Sequence, residues 1–399
     1  MKSLECLTRR FLAGAFWLMG LLPLPPTSQL YWLILSLGIR CFWIVYISYL
    51  LSVGFSFKSV AIESVGNVVG TALFMGNSVL GLMLLLESVL KQRTHTQLED
   101  LRFQSDLQLQ RLGMFGRRRQ AGYLLALIGT QLICDLVRVA INDSGVVSPV
   151  FFISLPLSWL LRFRYVQLVQ HVMDLNQRSL QLRRSLLSLA SGNDLWQPYG
   201  VLECRQLQTL RTTYERIFEC YEALSDCYGW GMLGLHLLTS FEFVTNAYWM
   251  LTGLYKSQDQ NLLSLIFNGA TAIDFGTPIV TLFWHGDAGA ENGRQIGCLI
   301  SKLVKPQGSK RYNELVSEFS LQTLHQRFVV TAKDFFSLNL HLLSSFATPT
   351  AHFNLPGALP TAVTLNPSSS VRWIESHWDK IGNGSGAGAG QDVSGGFTC

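Results

Sequence analysis

Ionisable side chains set inside long apolar segments are the residues best able to do chemistry in this chain. Asp135 and Arg138 lie three apart within AGYLLALIGTQLICDLVRVAI, residues 121–141, one helical turn and close enough to pair on one face. Glu242, Asn246 and Trp249 follow at intervals of four and three within residues 229–255, so a helix aligns them along one stripe. Asp274 stands in the apolar stretch that begins at Leu262. Charges in hydrocarbon are costly and turn toward protein or water, which makes them the default functional candidates. The chemistry they suggest is recognition of an amphipathic small molecule, with aromatic walls and few polar anchors. Each residue also has a plainer structural account. Asp135 and Arg138 read more simply as an ion pair than as a ligand contact, and the Glu242 stripe reads equally as an interhelical hydrogen-bond cluster. Asp274 either caps the pocket, meets Arg138 or packs, while Tyr248, Trp249 and Tyr255 also suit an interfacial aromatic belt. Arg162 and Arg164 are expected to snorkel from the inner end of residues 148–170. Arg40, midway along residues 30–55, requires a partner or water that the sequence does not name.

No catalytic set is legible. The eight cysteines stand singly at 6, 41, 134, 204, 220, 227, 298 and 399, without the two-residue spacing of a zinc site or redox pair. They read as reduced packing residues. GNGSGAGAG, residues 382–390, has glycines at nucleotide-loop spacing but follows no strand and opens no helix, so it reads as linker. His325 and His341 lack metal-ligand company. Neither enzyme activity, metal nor cofactor is expected.

The elements that must position these residues follow from composition. Of 399 residues, 49% are hydrophobic and 14% charged, with a mean hydropathy of +0.27, more apolar than a soluble domain can bury. Six runs approach the roughly 20 apolar residues that a helix needs to cross hydrocarbon: 30–55, 66–90, 121–141, 148–170, 229–255 and 262–284. The fold class expected is therefore all-α, a polytopic membrane helical bundle with six recognisable spans. A net charge of +5 would hint at nucleic acid in a soluble chain. Here the Lys and Arg residues collect in alternate connections, which predicts a cytosolic N-terminus and leaves no case for nucleic acid. Residues 11–26, FLAGAFWLMGLLPLPP, suit an interfacial or re-entrant helix better than a signal peptide.

The fourth connection carries its own helical signal, because Leu207, Leu210, Tyr214, Ile217, Phe218, Tyr221 and Leu224 fall on one stripe. Spans four and five are thus expected to extend into the cytosol as packed helices, with turn residues at 191–200 between them. The domain plan is an N-terminal segment 1–29, a bundle 30–290 with a helical insertion at about 171–228, anchor helices 291–346 and an atypical tail 347–399. Residues 319–346 read as one amphipathic helix.

Within that stretch LHQRFVVTAKDFFSLNLHLLSS, residues 324–345, carries Leu324–His325, Phe335–Phe336 and Leu338–Asn339 in order. It resembles the segment leading into the last span of insect gustatory receptors, and GLLPL at 20–24 is similar to their N-terminal pattern. The resemblance covers residues 10 to 346 and agrees with the inverted sidedness. It implies a subunit of a ligand-gated, non-selective cation channel in the plasma membrane of taste neurons. The assembly implied is a homotetramer or heterotetramer with other gustatory receptor subunits, in contact with membrane lipid. A seventh span would line the pore, and a small-molecule tastant would occupy an outward-facing pocket among spans two to six. Divergence from the sugar and carbon dioxide types suggests a bitter compound.

The chain departs from that pattern after residue 346, where Pro349, Pro356, Pro360 and Pro367 exclude a continuous spanning helix and the composition suits disorder. A retained intron, a frameshift or an altered gene model is the hypothesis, and the transcript's 3′ end tests it. A non-conducting modulatory subunit is one alternative. A secondary transporter is another, although no internal repeat is visible. The sequon at Asn142 is expected in an outer loop and that at Asn383 in the cytosol, unmodified.

Overall fold

The structure, a computed structural model, describes residues 2–23, 30–58, 65–112, 120–142, 150–191, 201–255, 262–303 and 310–340. They belong to the first of two units, Met1–Leu343; the second, Ser344–Cys399, lies outside the described residues, as do both sequon loops, His341 and the prolines of the tail. The helices in chain order are α1 (Lys2–Leu18), α2 (Leu30–Lys58), α3 (Val65–Leu90), α4 (Gln92–Arg111), α5 (Ala121–Asn142), α6 (Val150–Ser191), α7 (Val201–Tyr255), α8 (Leu262–Ser301) and α9 (Lys310–His325). A hairpin of β1 (Thr331–Ala332) and β2 (Phe336–Ser337) follows. The chain is an all-α membrane bundle. Four helices, α2, α3, α5 and α8, are long and apolar enough on their own to cross a bilayer.

The other two expected spans lie in α6 and α7, which are more polar and run to 42 and 55 residues. At 1.5 Å per residue, the 55 residues of α7 reach about 80 Å, more than twice the roughly 30 Å of hydrocarbon. Both helices therefore run well past a single crossing, the length that the expected extensions require. Leu207, Leu210, Tyr214, Ile217, Tyr221 and Leu224 are buried along α7, and Phe218 packs at the margin of the same core. The seven cysteines among the described residues form no disulfide with one another, and Cys134, Cys220 and Cys227 are buried as packing residues.

Helix α1 ends in a glycine cap. Gly20 adopts a φ of +69°, its N–H donates to Trp17 O at 2.9 Å, and Leu21 N–H donates to Phe16 O at 2.9 Å. Arg40 supplies the contact its burial requires: Nε donates to Gly20 O at 3.3 Å and Nη2 donates to Leu22 O. Trp43 Nε1 donates to Leu18 O at 3.0 Å, so α2 grips the turn that ends α1. The second connection, for which no helix was expected, contains α4, whose buried His95, Leu98, Leu101, Arg102, Ser105 and Leu109 repeat at helical spacing against α7. Its apolar stripe holds only leucines among many glutamines and charges, too thin to stand out.

The single helix expected over 319–346 is not what forms. Helix α9 stops at His325, and the chain then runs extended into an antiparallel hairpin with Thr331 opposite Ser337 and Ala332 opposite Phe336. Burial here alternates. Phe328, Val330 and Ala332 are 1%, 0% and 0% exposed while Val329 and Thr331 are partly open, a period of two that selects strand over helix. Lys333 and Asp334 make the turn at φ +48° and +61°.

Asp226 on α7 pins that turn, accepting from Lys333 Nζ at 2.5 Å and from Lys91 Nζ at 3.1 Å. The Lys333 hydrogen bond, more than Lys91, holds the carboxyl below its ordinary range. A carboxyl depressed on folding adds stability above its unfolded pKa of about 4 and loses it as pH falls through the lower folded value. Hydrogen exchange of residues 328–338, corrected for intrinsic rates, is thus expected to stay flat from pH 8 to 5 and rise only in stronger acid. Asp226→Asn should remove the acid step; a step that persists in this variant would assign it elsewhere.

Candidate functional site

Three short connections, 58–65, 142–150 and 255–262, gather the N-termini of α3, α6 and α8 and the C-termini of α5 and α7 at one end of the bundle. Asn77, Arg162 and Asp274 each lie twelve residues from that end and Glu242 lies thirteen, a depth of about 18–20 Å along each helix. Common depth brings them into one layer.

Its centre is a four-charge lattice. Arg138 on α5 donates through Nη2 to Asp135 Oδ1 at 2.5 Å and to Asp274 Oδ2 on α8 at 2.6 Å. Arg162 on α6 donates through Nη1 to Asp135 Oδ2 and through Nη2 to Asp274 Oδ2. Two arginines and two aspartates thus cancel, and three helices are tied at one point. All four side chains are buried, that of Asp274 completely. The expectation that Arg162 snorkels to water is therefore corrected: two carboxylates from other helices capture it, and its guanidinium also lies 5.3 Å from the Trp159 ring centre.

The lattice does not use all of its polar capacity. Asp274 Oδ1 and Arg162 Nε have no hydrogen-bond partner among the described residues. Gln131, one turn before Asp135 on α5, is wholly buried, and neither its Oε1 nor its Nε2 has a partner among the described residues. Buried polar atoms are paired in folded proteins with few exceptions, so such groups mark places where water or a ligand can bind. Gln131 escaped the sequence reading because an uncharged carboxamide in a span carries little signal; its four-residue offset from Asp135 is the clue that was available.

The Glu242 stripe is only partly assembled. Glu242 is buried and accepts from Asn77 Nδ2 on α3, while Asn246 Nδ2 donates back to Glu242 O at 2.7 Å. Trp249 and Tyr248 are exposed, 41% and 60%, which fits the aromatic-belt account better than a wall shared with Glu242. Tyr255 belongs to α7, but nothing is described of its side chain.

Arg164, also expected to snorkel, is fully buried about two residues deeper. Its Nη2 donates to Glu87 Oε2 on α3 at 2.7 Å, and its guanidinium stacks 4.3 Å from the centre of the Tyr228 ring. Glu87 Oε1 in turn accepts from Gly231 N–H at 3.0 Å, a close approach that glycine alone permits on α7. Of the motif residues, Leu338 is buried and Phe336 stacks near Phe283 with centroids 6.4 Å apart. Leu324 and Phe335 are exposed, His325 closes α9, and Asn339 Nδ2 donates to Ser337 Oγ at 3.1 Å. They form the hairpin and its approach rather than one face of a helix.

The chain is similar to Gustatory receptor 23a of Drosophila melanogaster, 38% identical over 199 residues, 48% of this chain and 53% of that protein. It spans about half the length of the curated relative it matches. Its fold is similar to that of the insect olfactory receptor OR5 from Machilis hrabei, with a TM-score of 0.61 and 12% identity over 86% of this chain and 95% of that one. The complex of that receptor with eugenol gives a TM-score of 0.53 and 14% identity over 87% and 97%. At such identity the likeness is one of fold. The family described as 7tm Chemosensory receptor matches residues 10–348, the greater part of the sequence, and with the membrane bundle in hand the chain belongs to that family.

Proposed function

We propose that this chain is a gustatory receptor subunit, a ligand-gated cation channel subunit of the plasma membrane of chemosensory neurons that detects small, bitter tastants. The N-terminus is cytosolic in this reading, and the ligand enters the end of the bundle formed by the short connections. The extensions of α6 and α7, with residues 291–325, form the cytosolic anchor of a homotetramer or heterotetramer with other gustatory subunits. The observation that carries the reading is the buried layer itself. Asp135, Arg138, Asp274 and Arg162 cancel one another's charge, while Asp274 Oδ1 and the Gln131 carboxamide keep unspent hydrogen-bonding capacity. A neutral amphipathic molecule fits such a layer, since it can pair with those atoms without bringing a charge into hydrocarbon. Glu242 and Asn246 extend the layer toward the outer end of α7, with Trp249 in the aromatic belt beyond them. The similarity to a gustatory receptor and to a receptor solved with eugenol supports the choice of a small organic ligand.

Expression in a cell without taste receptors, alone and with gustatory partner subunits, tests the reading. A tastant panel should evoke cation currents; accumulation of the compound without current would point to transport. Gln131→Leu is the informative variant. It removes two unpaired buried polar atoms, so stability should hold or rise by about 1 kcal/mol. The half-maximal concentration of an active tastant should nonetheless rise about tenfold. Unchanged sensitivity would remove Gln131 from the site.

A further inference from the structure

The opposite end of the bundle holds a cavity of about 500 Å³ between α1, α4 and α6. That volume falls within the roughly 300–1,000 Å³ of small-molecule sites. The tastant layer does not reach it, since none of its residues lines this space.

Two unlike walls face each other. Ala13 and Phe16 of α1, Leu22 and Pro23 of the turn that follows, and Phe103 of α4 make an apolar wall. Phe103 is 66% exposed, so this wall opens to the outside. The other wall is charged. Arg102 is held by Glu99 at 2.7 Å and Asp174 at 2.8 Å, and Arg178 grips Asp106 through Nε at 2.8 Å and Nη2 at 3.0 Å. Arg9 of α1 joins the same lining. Among the described residues of the lining, three arginines and three carboxylates cancel, and His95 and His171 add no charge at neutral pH. Burial pushes His95 down to about 4 and His171 well below its ordinary value. Arg178 is 3% exposed, yet among the described residues its Nη1 has no hydrogen-bond partner, and neither has Gln170 Oε1 in the same lining. Glu99 and Asp106 expose 52% and 37% of their side chains, within reach of an incoming cation.

We propose that this cavity binds the headgroup of a zwitterionic phospholipid of the bilayer leaflet next to α1, with its phosphate toward Arg9 and Arg178 and its ammonium toward Glu99 and Asp106. Charge balance decides the class. A polyanionic headgroup needs a surplus of basic residues, which the described lining does not offer, whereas a zwitterion meets a guanidinium and a carboxylate at once. The apolar wall gives the acyl chains an exit past Phe103. The bound lipid wedges α1 against α4 and α6. Free phosphoethanolamine shares the polar chemistry but cannot use the apolar wall.

Native mass spectrometry of the full-length purified chain decides between these. With phosphatidylethanolamine, phosphatidylglycerol and free phosphoethanolamine titrated separately, the first should be retained about tenfold more strongly than either other. Arg9→Gln combined with Glu99→Gln, both on the rim, should abolish that preference. Ala13→Trp, which fills the cavity from α1, should lower retention of phosphatidylethanolamine at an unchanged melting temperature. Equal retention of the two lipids, binding of free phosphoethanolamine as strong as that of the lipid, or an Ala13→Trp chain that still holds lipid would each overturn the proposal.

Discussion

Asp274→Asn is expected to cost the folded receptor about 3–5 kcal/mol, the largest loss from any single side chain in the bundle. Asp274 is completely buried and its Oδ2 accepts from both Arg138 and Arg162. Neutralising it leaves two guanidinium groups to share the Asp135 carboxylate and one net positive charge in the apolar layer. The substitution keeps size and shape, so the loss measures charge rather than packing. The lattice as a whole is neutral, and removing a charge of each sign restores that balance. Asp274→Asn combined with Arg162→Met should therefore recover most of the stability, because Arg138 and Asp135 remain paired at 2.5 Å. Thermal melting of the two single variants and the double variant, purified in detergent, reads the coupling directly. Additive losses would show that the four charges act independently.

Gly286→Val has the second large effect, at the seam between α8 and the hairpin. A Cβ on Gly286 would lie 2.6 Å from Leu338 Cβ and 2.7 Å from Leu338 O, and the latter is backbone that cannot step aside. Overpacking of this kind costs about 1–3 kcal/mol in a core. Here the hairpin can yield instead of α8, since its own ladder is only two residue pairs long. The expected outcome is loss of hydrogen-exchange protection at residues 328–338 with helix content unchanged. Phe336 would leave Phe283, and Lys333 would leave Asp226. Gly122→Ala, where an added Cβ meets nothing within 4 Å, is the matched control and should leave the hairpin protected. Protection that survives Gly286→Val would mean that Asp226 and Ser225, which accepts from Thr331 N–H at 3.0 Å, hold the hairpin without α8.

Much of the fold was legible before any coordinates. The positions of α2, α3 and α5, the start of α8, the continuation of α6 and α7 past hydrocarbon length, and the buried stripe from Leu207 to Leu224 follow from hydropathy and 3.6-residue spacing, whereas α8 runs on to Ser301 past the span expected to end at 284. The Asp135–Arg138 pair was legible too, because the partners are three residues apart on one helix. The capture of Arg162 was not. Its partners lie 27 and 112 residues away, and an arginine near a span end looks the same whether it snorkels or is pulled inward. The hairpin was hidden for a related reason. Phe328, Val330 and Ala332 alternate with Val329 and Thr331, but the same residues also satisfy a helical stripe when read together with α9.

The sequence by itself determined which segments are apolar enough to enter the bilayer, because transfer of a side chain into hydrocarbon and the pairing of each backbone group within a helix are decided residue by residue. Only the tertiary structure decided which charges cancel, which polar atoms stay unspent, and that residues 326–338 extend rather than coil. Those outcomes depend on the surface that each residue meets, and Asp274, Gly286 and Asp226 present that surface from helices far away in the chain.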